Sequence, residues 1–93
     1  MTTSFGARLR DALDAHGPLC VGIDPHAQLL DAWGLGQDAD GVREFGLRVV
    51  DAAAGRVAAI KPQVSFFERF GSRGFAALEA VLAAGRAAGL IVI

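Results

Sequence analysis

Cysteine, lysine and tryptophan each occur once in these 93 residues, tyrosine does not occur, and ten acidic side chains nearly balance nine basic ones. Each scarcity excludes something. The one cysteine, Cys20, cannot form an intrachain disulfide or a multi-cysteine metal cluster, and such sparing use suits a reducing cytoplasm. A net charge of −1 without a basic cluster argues against a nucleic-acid or anionic-membrane surface. The longest apolar runs are only a few residues, too short to span a bilayer. Met1 to Arg10 lacks an apolar core and soon leads to Asp11 and Asp14, unlike a secretory signal or transit peptide. The expectation is one cytoplasmic globular unit over 1–93 that binds neither nucleic acid nor membrane.

What is present is apolar: 53% of the residues are hydrophobic. Three short runs, Leu19 to Ile23, Val57 to Ile60 and Leu90 to Ile93, do not alternate polar with apolar, the pattern of strands covered on both faces of a parallel sheet. The gaps between them (25–56 and 62–89) are long enough for crossover helices. Val42, Phe45, Val49 and Ala53 recur at helical spacing after Asp40, a candidate N-cap, and Gly55 is a candidate stop. Phe75, Leu78 and Leu82 form a second stripe between Ser72 and Gly89. Phe5, Leu9, Leu13 and His16 form an earlier one, between Ser4 and Gly17-Pro18. The order α-β-α-β-α-β predicts an α/β fold with a parallel sheet. The segment from Pro25 to Asp40 reads as a loop with one helical turn near Leu29 to Trp33. A (β/α)₈ barrel typically needs about 250 residues, and this chain closes on a bare strand. It is therefore expected to be a piece of a larger fold.

In parallel α/β folds, ligand groups gather where the strands end. Asp24 directly follows the first run and Lys61 the second, so the two side chains are expected near one another at one mouth. There a carboxylate and an ammonium would pair and offer hydrogen bonds to a polar substrate. Pro25 and Pro62 are expected to stop the strands at those points. Asp-Pro is also a common turn signal, whereas a lysine at the end of a buried strand calls for a partner. Lys61 is the only lysine beside eight arginines, in an Arg-, Ala- and Gly-rich chain of the kind a GC-rich genome produces.

Other residues carry weaker signals. His26 is a loop histidine near the same mouth, and His16 ends an apolar helix face. Cys20 reads as a small buried hydrophobe, and Ser65 lacks a base. Phe66, Phe67 and Phe70 read as packing between strand and helix, with Glu68 and Arg69 outside. Gly34-Leu35-Gly36 completes no phosphate loop, and no spacing resembles a metal site.

Three blocks together resemble orotidine 5′-phosphate decarboxylase of the bacterial subgroup found in mycobacteria and their relatives. They are Leu19-Cys20-Val21-Gly22-Ile23-Asp24-Pro25-His26, then Ile60-Lys61-Pro62-Gln63-Val64-Ser65-Phe66-Phe67-Glu68-Arg69-Phe70-Gly71, then Gly89-Leu90-Ile91-Val92-Ile93. The resemblance runs over essentially the whole chain. It implies the first three β/α units of a (β/α)₈ barrel, preceded by an N-terminal helix. It also implies a homodimeric lyase that converts orotidine monophosphate to uridine monophosphate without metal or organic cofactor. Asp24 matches the aspartate that binds the ribose hydroxyls, and Lys61 the first lysine of a Lys-Asp-Lys-Asp charge array at the reacting centre. The family's Asp-x-Lys-x-x-Asp signature, which carries the proton-donating lysine, begins after the third strand and is absent here, as are the phosphate-binding loops. The 93 residues alone are expected to be inactive. Two alternatives are a sugar-phosphate-acting barrel of the same suprafamily and a small flavodoxin-like regulatory module. In the first, the resemblance implies an acidic residue where Lys61 stands, plus a metal ion, so Lys61 argues against it. The second would have covered sheet edges.

Overall fold

A computed structural model describes residues 4–93. Met1, Thr2 and Thr3, the start of the stretch that does not read as a targeting segment, lie outside the described residues. The elements run α1 (Phe5–His16), β1 (Cys20–Ile23), α2 (Ala27–Ala32), α3 (Ala39–Ala53), β2 (Ala59–Pro62), α4 (Ser65–Glu68), α5 (Gly71–Ala87) and β3 (Ile91–Val92). The three strands form one parallel sheet in the order β1-β2-β3, as the helical crossovers require. No described helix is long and apolar enough to cross a membrane.

Register determines which side chains share a face. Gly22 pairs with Lys61, Val21 with Ile60, and Ile60 with Val92. Val21, Ile23, Ile60 and Val92 join the main apolar cluster with α3 and α5, through Val42, Phe45, Val50, Ala77, Leu78 and Val81. The alternate residues, Cys20, Gly22, Ala59, Lys61 and Ile91, therefore face the opposite side. There α1 covers only one end, setting Leu9 and Ala12 against Ala58, Ala59 and Ile91. The rest of that face is open, and Ile93, which follows Ile91 on it, is 58% exposed.

Several expectations shift for physical reasons. β1 is covered on one face only, so Cys20, expected to be buried, is exposed on an edge strand. Lys61 and Pro62, expected just past the second strand, lie within β2. Pro62 needs no N–H of its own, because the ladder continues through the Gln63 N–H to the Ile23 carbonyl at 3.0 Å. The N-cap of α3 is Asp38, whose Oδ1 accepts from the Gly41 N–H at 2.7 Å, while Asp40 lies in the first turn. The buried face of α5 is Gly74, Ala77, Leu78, Val81 and Gly85, and Phe75 is 44% exposed. The two long helices touch, since a Cβ on Gly46 of α3 would strike Val81, while on α5 Gly74 lies against the Phe67 carbonyl and Gly85 against Ile60. The apolar stripe of α1 is largely exposed, with no residue buried, although Ser4 caps the helix and Gly17 ends it as expected.

Candidate active site

Asp24 and Lys61 come to the same end and the same face of the sheet. Gly22 is the register partner of Lys61, and Asp24 lies two residues beyond Gly22, one full strand period. The Asp24 carboxylate turns back over that glycine: a Cβ at Gly22 would lie 3.8 Å from both Oδ1 and Oδ2. Gly22 thus leaves open the space between the carboxylate and its own strand, directly opposite Lys61. Both charged side chains are exposed. They do not form the ion pair expected of them, since no nitrogen of Lys61 comes within 4.0 Å of Asp24. Among the described residues the one ion pair is Arg48–Glu44, on the outer surface of α3. The two groups stand side by side with their hydrogen-bonding capacity free, an arrangement suited to a polar ligand laid across the strand ends.

The backbone that aims Asp24 is tightly turned. The His26 N–H donates to the Asp24 carbonyl at 2.7 Å, closing a three-residue turn centred on Pro25. Proline suits that centre because its ring already fixes φ, and Pro25 is fully buried. His26, weighed as a loop residue near the mouth, instead holds the N-cap position of α2 without a side-chain cap bond. Its ring is tilted against Phe66 at 6.3 Å between centroids. Ser65 opens α4 at the surface. His16 lines a separate groove of about 490 Å³ with Arg8, Asp11 and Arg86, beside α1 and the start of β3 and away from Asp24 and Lys61. Among the described residues no three histidine, cysteine or acidic side chains gather as metal ligands would.

Sequence reasoning missed two contributors. Gly22 had a legible signal, since a glycine inside an apolar strand marks a close approach. Arg69, expected to point away, is bonded to the carbonyl of Pro25 in the β1 loop. No periodicity or motif could disclose a contact across 44 residues.

Parallel strands joined by helices, with charged groups at the strand ends, are consistent with the first three units of a (β/α)₈ barrel. Solved structures carry the same fold. A Streptomyces avermitilis chain assigned as an orotidine 5′-phosphate decarboxylase superposes with a TM-score of 0.92 at 57% identity, over 99% of this chain and 33% of that one. The Leishmania donovani uridine monophosphate synthase superposes at 0.78 and 35%, over 98% and 18%. In sequence, the orotidine 5′-phosphate decarboxylases of Streptomyces coelicolor and Nocardioides sp. are 61% and 60% identical over 89 residues, 96% of this chain. No protein-family model matches. The chain spans about a third of the length of these curated relatives, 32% and 33%. Over that third it is similar to bacterial orotidine 5′-phosphate decarboxylases.

Proposed function

We propose that the whole protein decarboxylates orotidine 5′-monophosphate to uridine 5′-monophosphate, and that this chain supplies the ribose grip and one cation of the site. In this reading the Asp24 carboxylate accepts hydrogen bonds from the ribose hydroxyls, and the Lys61 ammonium stands at the reacting ring. The bond between the ring carbon and its carboxylate breaks, carbon dioxide leaves, and the electron pair stays on the ring carbon. A fixed cation in a site closed to water favours that carbanion over the substrate carboxylate, because the charge is already oriented when the anion forms. The proton that then completes uridine monophosphate comes from an acid other than these two groups. The resemblance assigns that step to a lysine of the Asp-x-Lys-x-x-Asp signature. Neither a metal nor an organic cofactor enters the scheme. The assembled enzyme is read as a cytoplasmic homodimer.

The observation that supports the reading is the shared face: in a chain with a single lysine, that lysine and Asp24 stand on neighbouring strands with the intervening position left as glycine. The test is steady-state decarboxylation by the full gene product and its Lys61→Ala variant. Removing one preorganised charge-stabilising group typically costs about 10²–10³-fold in kcat, and a loss of at least that size is expected with the circular dichroism spectrum unchanged. Turnover near that of the unaltered protein would remove Lys61 from the mechanism.

A further inference from the structure

Among the described residues, five of the six side-chain hydrogen bonds join positions ten or fewer apart in sequence. The sixth spans 44: Nη2 of Arg69, just past α4, donates to the carbonyl oxygen of Pro25 at 3.3 Å. It ties the loop after β2, which continues from Lys61, to the loop after β1, which carries Asp24.

We propose that Arg69 is a positioning residue for Asp24, acting through the peptide between Pro25 and His26. Pro25 has no N–H, so its carbonyl is the only polar backbone handle that residue offers. The neighbouring groups are already committed. The His26 N–H closes the turn onto the Asp24 carbonyl, and the Ile23 carbonyl accepts from Gln63. Fixing the Pro25 carbonyl therefore fixes the exit of the turn whose entrance is Asp24, and with it the carboxylate poised over Gly22. Arg69 is itself held: its guanidinium carbon lies 4.6 Å from the centroid of the Phe70 ring, a cation–π arrangement that keeps the side chain from sweeping through solvent. The Pro25 ring beneath is buried, which limits how the turn can compensate. Loss of the bond leaves the carbonyl free to turn to water, so the fold is little affected and the aim of Asp24 is what changes.

The inference rests on the role proposed for Asp24 in nucleotide binding, and a double-mutant cycle in the full gene product separates the two. Uridine monophosphate affinity is measured by calorimetry, and kcat and KM for orotidine monophosphate by absorbance. Small displacements of binding groups cost up to about 10²-fold, so Arg69→Ala and Arg69→Met are each expected to weaken uridine monophosphate binding about tenfold. Most of that effect should appear in KM. Arg69→Lys, which retains a cation and a donor, is expected to recover most of the loss. In an Asp24→Asn background the Arg69 substitutions should cost less than about twofold, since non-additivity marks groups that act through one another. Amide exchange at His26 should accelerate in Arg69→Ala and not in Arg69→Lys. An Arg69→Ala penalty that is the same with Asp24 intact as in the Asp24→Asn background overturns the inference and leaves the proposed function standing. Unaltered binding in Arg69→Ala while Asp24→Asn binds weakly does the same. If the unaltered protein neither binds uridine monophosphate nor decarboxylates, the proposed function fails and takes the inference with it.

Discussion

Gly22→Ala separates stability from binding. The backbone at Gly22 is ordinary, since it is absent from the glycines of positive φ, and an added Cβ meets nothing closer than the two Asp24 oxygens at 3.8 Å, an unstrained contact. Alanine in place of glycine at such a position reduces the freedom of the unfolded chain and stabilises by about 0.4–1 kcal/mol. The same methyl group fills the gap between the Asp24 carboxylate and the strand opposite Lys61. It removes water and ligand access from one side of both oxygens. A hydrogen bond to a charged group is worth about 1.5–3 kcal/mol. Losing roughly half of that costs about 0.8–1.5 kcal/mol, a factor of about four to twelve in affinity. The expected signature is a denaturation midpoint that rises at constant slope, together with uridine monophosphate binding about four- to twelvefold weaker by calorimetry. A lowered midpoint would show that the space over Gly22 is not open. Unchanged affinity with a raised midpoint would show that the ligand does not use the face on which Asp24 and Lys61 stand.

Two further predictions test the scaffold that carries the site. Asp38→Ala should lower stability by about 1 kcal/mol, the usual cost of losing an N-cap oxygen, while Asp40→Ala, which removes no cap bond, should cost less; urea titration showing the larger loss at Asp40 would contradict the cap assignment. Gly46→Ala should destabilise by about 1 kcal/mol net, since forcing a methyl onto the stiff Val81 side chain costs roughly 1–3 kcal/mol against a helix-propensity gain of about 1 kcal/mol. Gly6→Ala, in open space on α1, should be stabilising, and a Gly46 variant at least as stable as the Gly6 variant would refute the close packing of α3 on α5.

The parts of this fold that are legible in sequence are those written in local chemistry. Three apolar runs correspond to three parallel strands, and the Ser4 and Gly17 signals bound α1. The departures in burial share one cause: a large apolar residue does not by itself mark burial. On α5 the buried face includes Gly74, Ala77 and Gly85 beside Leu78 and Val81, because Gly74 lies against the Phe67 carbonyl and Gly85 against Ile60, too close for anything larger. On α1, Phe5 and Leu13 stand exposed at 48% and 38% because the helix meets the sheet only through Leu9 and Ala12. Cys20 belongs to the same lesson, since the number of faces a strand buries is a tertiary fact. At the site, strand ends point to Asp24 and Lys61, and Gly22 can be added from the same run. The contribution of Arg69 cannot, because it depends on how two loops 44 residues apart approach.

The position of the charged pair follows from residues that never touch it. Val21, Ile23, Ile60 and Pro62 are packed on the helical side of the sheet, and their burial decides which residues of β1 stand beside which residues of β2. With Gly22 opposite Lys61 and a period of two, Asp24 returns to the face of Lys61. A slip of β1 by one residue would send the carboxylate to the helical side, where the apolar side chains of α3 and α5 leave it no water and no partner. Such a slip would also turn Val21 and Ile23 of β1 out to the open face, although Ile23 is now fully buried. Each side chain of that size is worth about 1.5–3 kcal/mol when buried, so the apolar face holds the register by several kilocalories per mole. The free ammonium and carboxylate, which form no ion pair with each other, contribute little to holding it. The site is therefore aligned by its hydrophobic reverse side, which leaves Asp24 and Lys61 free to meet a ligand.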